Sequence, residues 1–328
     1  MSAVLDRRTA WSSFWESGPL HSLPGSLDDN LAGPVAEFWQ QQLAPLTNDQ
    51  QVVDIGTGNG ALPRLALDLL GENCPTIHAV DLSSVRPAWH QPDTTPSHQR
   101  VHFHAGIACE QLPLADNSQD AAISQFALEY SDLDRSLPEI SRVLKPTARL
   151  ALVMHHRDSQ LMRVAAAEIE QLAALLADDG FIACARQVLP FFARIAHGQG
   201  TQVMNDPQAA LHRQAFNQAA DTLLQIRQRH PLGGCIATSM TLIGDLIKRT
   251  AQGVSPLDDA LAWLETHHTQ LQQALLRNRE LVDCALDQRA LEKMATLLEQ
   301  AGFTIHIQAP LRHAGFLLGW QLAAVRIH

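Results

Sequence analysis

The sequence predicts an α/β protein with a doubly wound, mostly parallel sheet of seven strands and a helical insertion after the fifth strand. Three observations predict this fold. Five short apolar runs alternate with helical patterns between residues 51 and 154. Only helical periodicity is present from 157 to 300, and two strand-like runs follow at 303–308 and 316–325. Alternating strands and helices are typical of a parallel sheet with helices on both faces.

The composition is that of a folded protein with an acidic balance. Of 328 residues, 46 % are hydrophobic and 18 % charged, which is enough apolar material for one large domain or two ordinary ones. The net charge of −10 disfavours a broad basic face for nucleic acid. Residues 1–156 hold 18 acidic and 9 basic side chains, whereas 157–328 hold 16 and 15. This asymmetry indicates that the two halves have different roles.

The cysteines and the hydropathy pattern predict a cytoplasmic protein without a membrane span. The five cysteines are far apart and form no C-x-x-C pair, so we expect reduced, mostly buried thiols. No stretch approaches the ~20 uninterrupted apolar residues of a bilayer span, and no apolar region follows Arg7 and Arg8. The sixteen histidines are scattered, and no metal site is expected.

Residues 1–45 are predicted to form an N-terminal helical and aromatic segment. Trp11, Phe14 and Trp15 fall at helical spacing and form one aromatic face, and a second helix is predicted at 34–45. Two interpretations of the aromatic face stay open. It closes the ligand pocket from the N-terminal side, or it packs on the sheet edge.

The sheet domain is predicted over 46–156 and 290–328. Its strands are expected at 51–55, 76–80, 101–104, 121–124, 149–154, 303–308 and 316–325, with helices at 62–70 and 137–144 and a further helix that ends at Gly302. The sheet is therefore interrupted after its fifth strand and resumed at the end of the sequence.

Residues 157–289 are predicted to form the helical insertion. Three helix faces have apolar residues at helical spacing: Leu161 to Leu176, Leu211 to Ile226, and Leu257 to Leu275. The functional interpretation is a lid that excludes water and shapes an acceptor pocket. The alternative is a subdomain that buries its own core or makes a homodimer contact.

A glycine-rich loop, Gly56 to Gly60, lies between the first predicted strand and helix. Glycines there permit positive φ and a close approach of the backbone to a ligand, and the helix start offers free N–H groups. Asp81 ends the second strand, where a carboxylate can accept ribose hydroxyls. The loop also satisfies the dinucleotide pattern G-x-G-x-x-G/A. However, Asp54 just before it would repel a pyrophosphate and suits a cationic amino-acid head.

Four motifs in order resemble a known family. They are Asp54-x-Gly56-x-Gly58-x-Gly60, Asp81, Leu112-Pro113-Leu114-x-Asp116-x-Ser118-x-Asp120, and Leu137-Pro138-Glu139-Ile140-Ser141-Arg142-Val143-Leu144-Lys145-Pro146. Together they resemble the class I S-adenosylmethionine-dependent methyltransferases, in the branch of quinone- and small-molecule-methylating enzymes. The resemblance covers residues 50–155 and the terminal strands.

The resemblance implies a set of cofactor contacts. Asp54 would orient the ammonium of S-adenosylmethionine, the backbone of Gly56 and Gly58 would line its methionine part, Asp81 would hold the ribose, and Leu82 would pack on the adenine. The remaining expected contacts are Thr57, Asn59, Gly60, Ile107, Ala108, Ser124 and Gln125.

The sequence departs from the family in two places. Gly106-Ile107-Ala108 stands where relatives carry an acid for the adenine amine, so backbone groups or Glu110 would have to substitute. Thr147-Ala148 replaces the usual glycine pair after the fourth motif.

Methyl transfer from a sulfonium is an in-line displacement that depends mainly on alignment, and a base is needed only if the acceptor must lose a proton. Four candidate catalytic residues follow the fourth and fifth strands, where doubly wound sheets bind ligands. His155 and His156 are candidate bases, and Glu129 and Tyr130 are candidate substrate contacts.

The predicted function is methyl transfer from S-adenosylmethionine to a small, partly apolar acceptor, on oxygen, nitrogen or carbon. One alternative is an NAD-dependent oxidoreductase on a similar sheet. The other is a regulatory protein that binds S-adenosylmethionine without turnover.

Overall fold

The structure, a computed structural model, describes residues 6–22, 30–91 and 96–327. The chain divides into two compact units. The sheet unit comprises Met1–Met162 and Asp283–His328, and the helical unit comprises Arg163–Val282. The sequence analysis expects the insertion at 157–289.

The helices and strands follow one another in the order expected for an interrupted α/β sheet. The helices are α1 (Arg7–Glu16), α2 (Gly33–Leu43), α3 (Ala61–Leu70), α4 (Leu133–Val143), α5 (Gln160–Leu175), α6 (Phe181–Ala196), α7 (Gly200–Met204), α8 (Pro207–Arg229), α9 (Cys235–Ala251), α10 (Leu257–Cys284) and α11 (Gln288–Gln300). The strands are β1 (Gln51–Ile55), β2 (Thr76–Asp81), β3 (Val101–Ala105), β4 (Gln119–Gln125), β5 (Leu144–His155), β6 (Phe303–His313) and β7 (Phe316–Arg326).

The seven strands form one mostly parallel sheet in the order β3-β2-β1-β4-β5-β7-β6. The first five strands are parallel to their neighbours, and β7 is antiparallel to both β5 and β6. From β1 the chain adds β2 and β3 on one side, and it then crosses to the other side of β1 to add β4 and β5. The carboxyl ends of β1, β2 and β4 therefore meet at one edge, where such sheets bind ligands. The predicted fold class is confirmed.

Helices cover both faces of the sheet, which explains why the central strands β1 and β4 are buried over most of their length. On one face α2 and α3 contribute Trp39 and Leu65 to a core with the strands. On the other face α4 and α11 contribute Ile140 and Met294 to a second core. Apolar burial on both faces is the main term that stabilises this unit.

Several element boundaries differ from the sequence prediction, and β6, for example, ends at His313 instead of 308. Helix α4 begins at Leu133 instead of 137, because the Asp132 side chain accepts a hydrogen bond from the Asp134 N–H and caps the helix. Strand β5 begins at Leu144 instead of 149, directly after the helix. Pro146 cannot continue a helix, and the extended chain pairs with β4 through an irregular register that includes Thr147 at φ +72°.

The helical unit has its own hydrophobic core. Leu172, Phe181, Ile236 and Leu264 from four different helices are almost fully buried there. Helix α6 packs against both α8 and α9 within the unit. None of the helices in the described part of the chain is long and apolar enough to cross a membrane.

Candidate active site

The glycine loop connects β1 to α3 in the sheet unit. The N–H groups of Gly56 and Thr57 both donate to the Val80 carbonyl, at 2.9 and 3.0 Å, and so join the ends of β1 and β2. Gly56 has φ +68°, and a Cβ at that position would overlap the Cβ of Ala127. Only glycine fits this turn without strain, because the position combines a left-handed backbone with a close neighbour.

Asp81 is fixed by the same loop. Its carboxylate accepts hydrogen bonds from the Gly58 N–H at 2.8 Å and from the Ser83 N–H at 2.7 Å. Burial raises the pKa of Asp81, and the two backbone donors oppose that shift. The position that the sequence assigns to ribose binding therefore holds an oriented acceptor with further oxygen lone pairs available for hydroxyl donors.

Asp54 is a buried carboxyl whose hydrogen-bonding capacity is not used. It is 1 % exposed, and among the described residues neither its Oδ2 nor the Thr57 Oγ1 makes a hydrogen bond of good geometry. Burial raises the pKa of Asp54 to about 7, while the nearby Thr57 hydroxyl opposes the shift and Asp81 adds to it. A buried carboxyl without a hydrogen-bond partner lowers the stability of the fold unless a ligand supplies that partner. A cationic hydrogen-bond donor would be the most favourable partner.

A cavity opens beside these two acids. Its walls are Arg7, Trp11, Trp15, Leu20, His21, Ser22, Asp54, Ile55, Gly56, Thr57, Ala61, Leu62, Val80, Asp81, Leu82, Ser83, Ile107, Ala108, Cys109, Glu110, Gln125, Phe126, Ala127, Tyr130 and Ser131. The cavity brings together eight of the expected cofactor contacts and one candidate catalytic residue, Tyr130. Trp11 and Trp15 of the aromatic face are among these wall residues, and Phe14 packs edge-on against both.

The N-terminal segment that contains these aromatic residues is held in place by hydrogen bonds and a ring contact. The Asn59 Nδ2 donates to the carbonyls of Trp15 and Pro19, both at 2.8 Å. The Trp15 ring lies against Gly58. At the other end of α1, the Arg7 guanidinium donates to the Tyr130 carbonyl at 2.8 Å. Helix α1 therefore spans the cavity between the glycine loop and the segment after β4.

Four expected cofactor contacts lie outside the cavity wall as the described residues define it. Gly58 and Asn59 act through the bonds to Asp81 and the N-terminal segment given above. Gly60 sits against the rings of Trp89 and Phe103, and the Ser124 hydroxyl donates to the Ile55 carbonyl at 2.9 Å. These four residues support the residues that line the cavity.

Glu129 and His155 form a buried pair next to the cavity. The Glu129 Oε1 accepts hydrogen bonds from both the backbone N–H and the ring Nδ1 of His155, each at 2.7 Å. The His155 ring packs on Phe126 and Tyr130, with centroids 4.4 and 5.9 Å apart, and both of these residues line the cavity. Glu129 and His155 themselves stand one layer behind the described cavity wall.

The His156 side chain is not among the residues that line the cavity. Its ring stacks on Trp320 at 4.1 Å, and its Nδ1 accepts a hydrogen bond from the Asp158 N–H at 3.0 Å. Burial lowers the pKa of His156, and the nearby Asp158 opposes that shift. These contacts are those of a packing residue at the end of β5.

Several wall residues were missed by the sequence analysis. Phe126 and Ala127 follow β4 directly, and Phe126 has φ +52°, which no local sequence signal announces. The missed polar wall residues are Arg7, His21, Ser22, Ser83, Cys109 and Ser131. Within residues 6–22, 30–91 and 96–327, no group of three or more His, Cys, Asp or Glu side chains is arranged to hold a metal ion.

The strand order, the glycine turn and the oriented carboxylate at the end of β2 are the arrangement expected for the class I methyltransferase fold. A family model described as a methyltransferase domain matches residues 53–152. Over this stretch the chain is similar to that family of methyltransferase domains.

The chain is also similar in part to curated relatives and to solved structures. Uncharacterized methyltransferases from Mycobacterium tuberculosis and Mycobacterium bovis are 28 % identical over 141 residues, which is 43 % of this chain and 52 % of theirs. The chain spans about half the length of these relatives. A SAM-dependent methyltransferase from Aquifex aeolicus is 23 % identical, with a TM-score of 0.35 over 45 % of this chain and 75 % of that one. A geranyl diphosphate C-methyltransferase from Streptomyces coelicolor is 18 % identical, with a TM-score of 0.36 over 47 % and 67 %.

Proposed function

We propose that this protein transfers a methyl group from S-adenosylmethionine to a small, partly apolar acceptor. The observation that carries the proposal is the pair of acids in one cavity. Asp81 is held ready for hydroxyl donors, and Asp54 has a buried oxygen without a partner among the described residues. A nucleoside that carries both a ribose and an ammonium group complements these two acids.

The residues of the cavity fit the cofactor group by group. Asp54 would hold the ammonium, because a cation nearby favours the ionised carboxylate and removes the penalty of its burial. Thr57 Oγ1, also unsatisfied, is free to donate to the amino-acid carboxylate. Asp81 would bind the ribose, and Leu82 with Ile107 would enclose the adenine. When bound, the cofactor supplies a methyl group already activated on a sulfonium.

The rest of the wall suits a partly apolar acceptor. Trp11, Trp15, Phe126 and Tyr130 supply aromatic surface on which the apolar part of a small molecule can pack. The role of residues 157–289 as a lid stays a prediction, as do the cytoplasmic location and the homodimer.

Calorimetric titration with S-adenosylhomocysteine tests the proposal. We expect binding to the wild type, and a loss of about 10- to 100-fold in affinity for Asp81→Asn, because a hydrogen bond to a charged group contributes about 1.5–3 kcal/mol. Asp68→Asn, an exposed position on α3, is the matched control and should bind normally. Absence of heat at high protein concentration would contradict the proposal, and so would unchanged affinity in Asp81→Asn. Binding without methylation of any acceptor in a broad panel would favour the non-catalytic alternative.

A further inference from the structure

The side chain of Gln125 carries an inference about the acceptor. Gln125 is the last residue of β4 and pairs with Val153 of β5, and the Phe126 N–H that follows donates to the Val153 carbonyl at 2.7 Å. Gln125 is half-buried and lines the cavity. Its side chain therefore begins at a fixed strand end, on the edge where such sheets bind ligands.

Trp39 decides which end of the Gln125 amide faces the cavity. The Trp39 side chain on α2 is fully buried, and its Nε1 lies 2.6 Å from the terminal amide of Gln125. An indole Nε1 can only donate a hydrogen bond, so the amide atom that it contacts is the carbonyl Oε1. The Nε2 end then points away from Trp39, and the described residues give it no hydrogen-bond partner. The cavity wall thus contains an oriented amide with two N–H donors.

The cofactor has few groups that complement an N–H donor at this position. The ammonium is itself a donor, and the positive charge of a sulfonium repels the N–H dipole. In the proposed arrangement Asp81 binds the ribose hydroxyls and Thr57 binds the amino-acid carboxylate. The residues that follow Gln125 include Phe126 and Tyr130, which supply aromatic surface for the acceptor. Gln125 is therefore the first residue of the stretch that faces the acceptor.

We propose that the Gln125 Nε2 donates a hydrogen bond to a carbonyl oxygen of the acceptor, which is then a partly apolar molecule with a ketone, ester or amide group. This inference rests on the proposed methyltransferase function and names the substrate class of the same site. It moves Gln125 from the cofactor contacts of the sequence analysis to the acceptor. A carbonyl oxygen suits this position because it accepts a hydrogen bond without adding a donor that would need its own partner in an apolar wall.

Matched pairs of probes test the assignment. Each ketone or ester of a panel is compared with the analogue in which a methylene group replaces the carbonyl, for example para-hydroxyacetophenone with para-ethylphenol. Affinities are measured by titration calorimetry in the presence of S-adenosylhomocysteine. The proteins are wild type, Gln125→Leu, Gln125→Glu and, as control, Gln41→Glu, an exposed position on α2. Gln125→Glu keeps an oxygen that can accept from Trp39 and replaces the N–H donors with a second acceptor.

The expected result is a preference for the carbonyl that depends on Gln125. We expect the wild type to bind the carbonyl member of a pair about 3- to 10-fold more tightly, which is the range that one neutral hydrogen bond provides. Gln125→Leu should abolish this preference, and Gln125→Glu should reverse it, because two acceptor oxygens would then face each other. Gln41→Glu should retain it. The affinity for S-adenosylhomocysteine should stay within about threefold in every variant.

Nuclear magnetic resonance provides a second readout on the wild type. The side-chain amide protons of Gln125, identified by their loss in Gln125→Leu, should shift on titration with the ketone and not with its methylene analogue. Equal affinities within every wild-type pair would overturn the assignment, and so would a preference that persists in both Gln125 variants. A large loss of S-adenosylhomocysteine affinity in Gln125→Leu would also overturn it, because Gln125 would then belong to the cofactor site. If the wild type does not bind S-adenosylhomocysteine, it is the proposed function that fails.

Discussion

Gly56→Ala tests whether the glycine turn is required by backbone geometry and by crowding together. Gly56 has φ +68°, and in that region a Cβ costs about 1–2 kcal/mol. The new Cβ would also overlap that of Ala127, and forcing an extra carbon into a packed site costs about 1–3 kcal/mol. We therefore expect Gly56→Ala to lower the free energy of unfolding of the sheet unit by about 2–5 kcal/mol.

The chain offers a matched control. Gly315 has φ +83°, but a Cβ there would have no heavy atom within 4 Å, so Gly315→Ala should cost only the backbone part, about 1–2 kcal/mol. Urea unfolding followed by tryptophan fluorescence is suitable, because five of the six tryptophans lie in the sheet unit and only Trp263 lies in the helical unit. Equal destabilisation by Gly56→Ala and Gly315→Ala would refute the argument from crowding. Both substitutions lower the entropy of the unfolded chain by the same amount, so this effect cancels when the two variants are compared.

Three further outcomes follow from the site. Because the pKa of Asp54 is raised to about 7, the folded state binds a proton between about pH 4 and 7 that the unfolded state does not, so stability falls as pH rises through that window. The melting temperature of Asp54→Asn should therefore exceed that of wild type at pH 8, and the difference between the two melting temperatures should be smaller at pH 5. The variant should also bind S-adenosylhomocysteine more weakly. Asn59→Ala should expose the N-terminal segment to limited proteolysis, because two hydrogen bonds from a buried amide are lost, whereas exposed Asn48→Ala should not. Binding of S-adenosylhomocysteine should change the fluorescence of wild type more than that of Trp15→Phe, since Trp15 lines the cavity.

The parts of the site that the sequence predicts are those set by local rules. Asp54, Gly56 and Asp81 follow from a strand end, a left-handed turn and the spacing to the next strand. Each of these is visible in a short stretch of sequence. The strands are also visible in short stretches of sequence, because their apolar runs reflect burial on both faces of the sheet.

The parts that it does not predict depend on residues distant in the chain. Phe126 adopts a positive φ that its tertiary surroundings impose, and the direction of His156 depends on Trp320. Helix α6 contains Pro190, which local propensity counts as a helix breaker, yet packing against its neighbours maintains the helix.

Strand β7 is synthesised long after β5, the strand with which it pairs. In the finished sheet β5 lies between β4 and β7, and Leu150 to Val153 are shielded on both edges. On the ribosome, however, β5 emerges about 160 residues before its partner. At roughly 5–20 residues per second this leaves an unpaired apolar edge for roughly 10–30 seconds. Nascent chains of this protein should therefore depend on chaperones during that interval, and fragments that stop before residue 316 should aggregate through the exposed edge of β5.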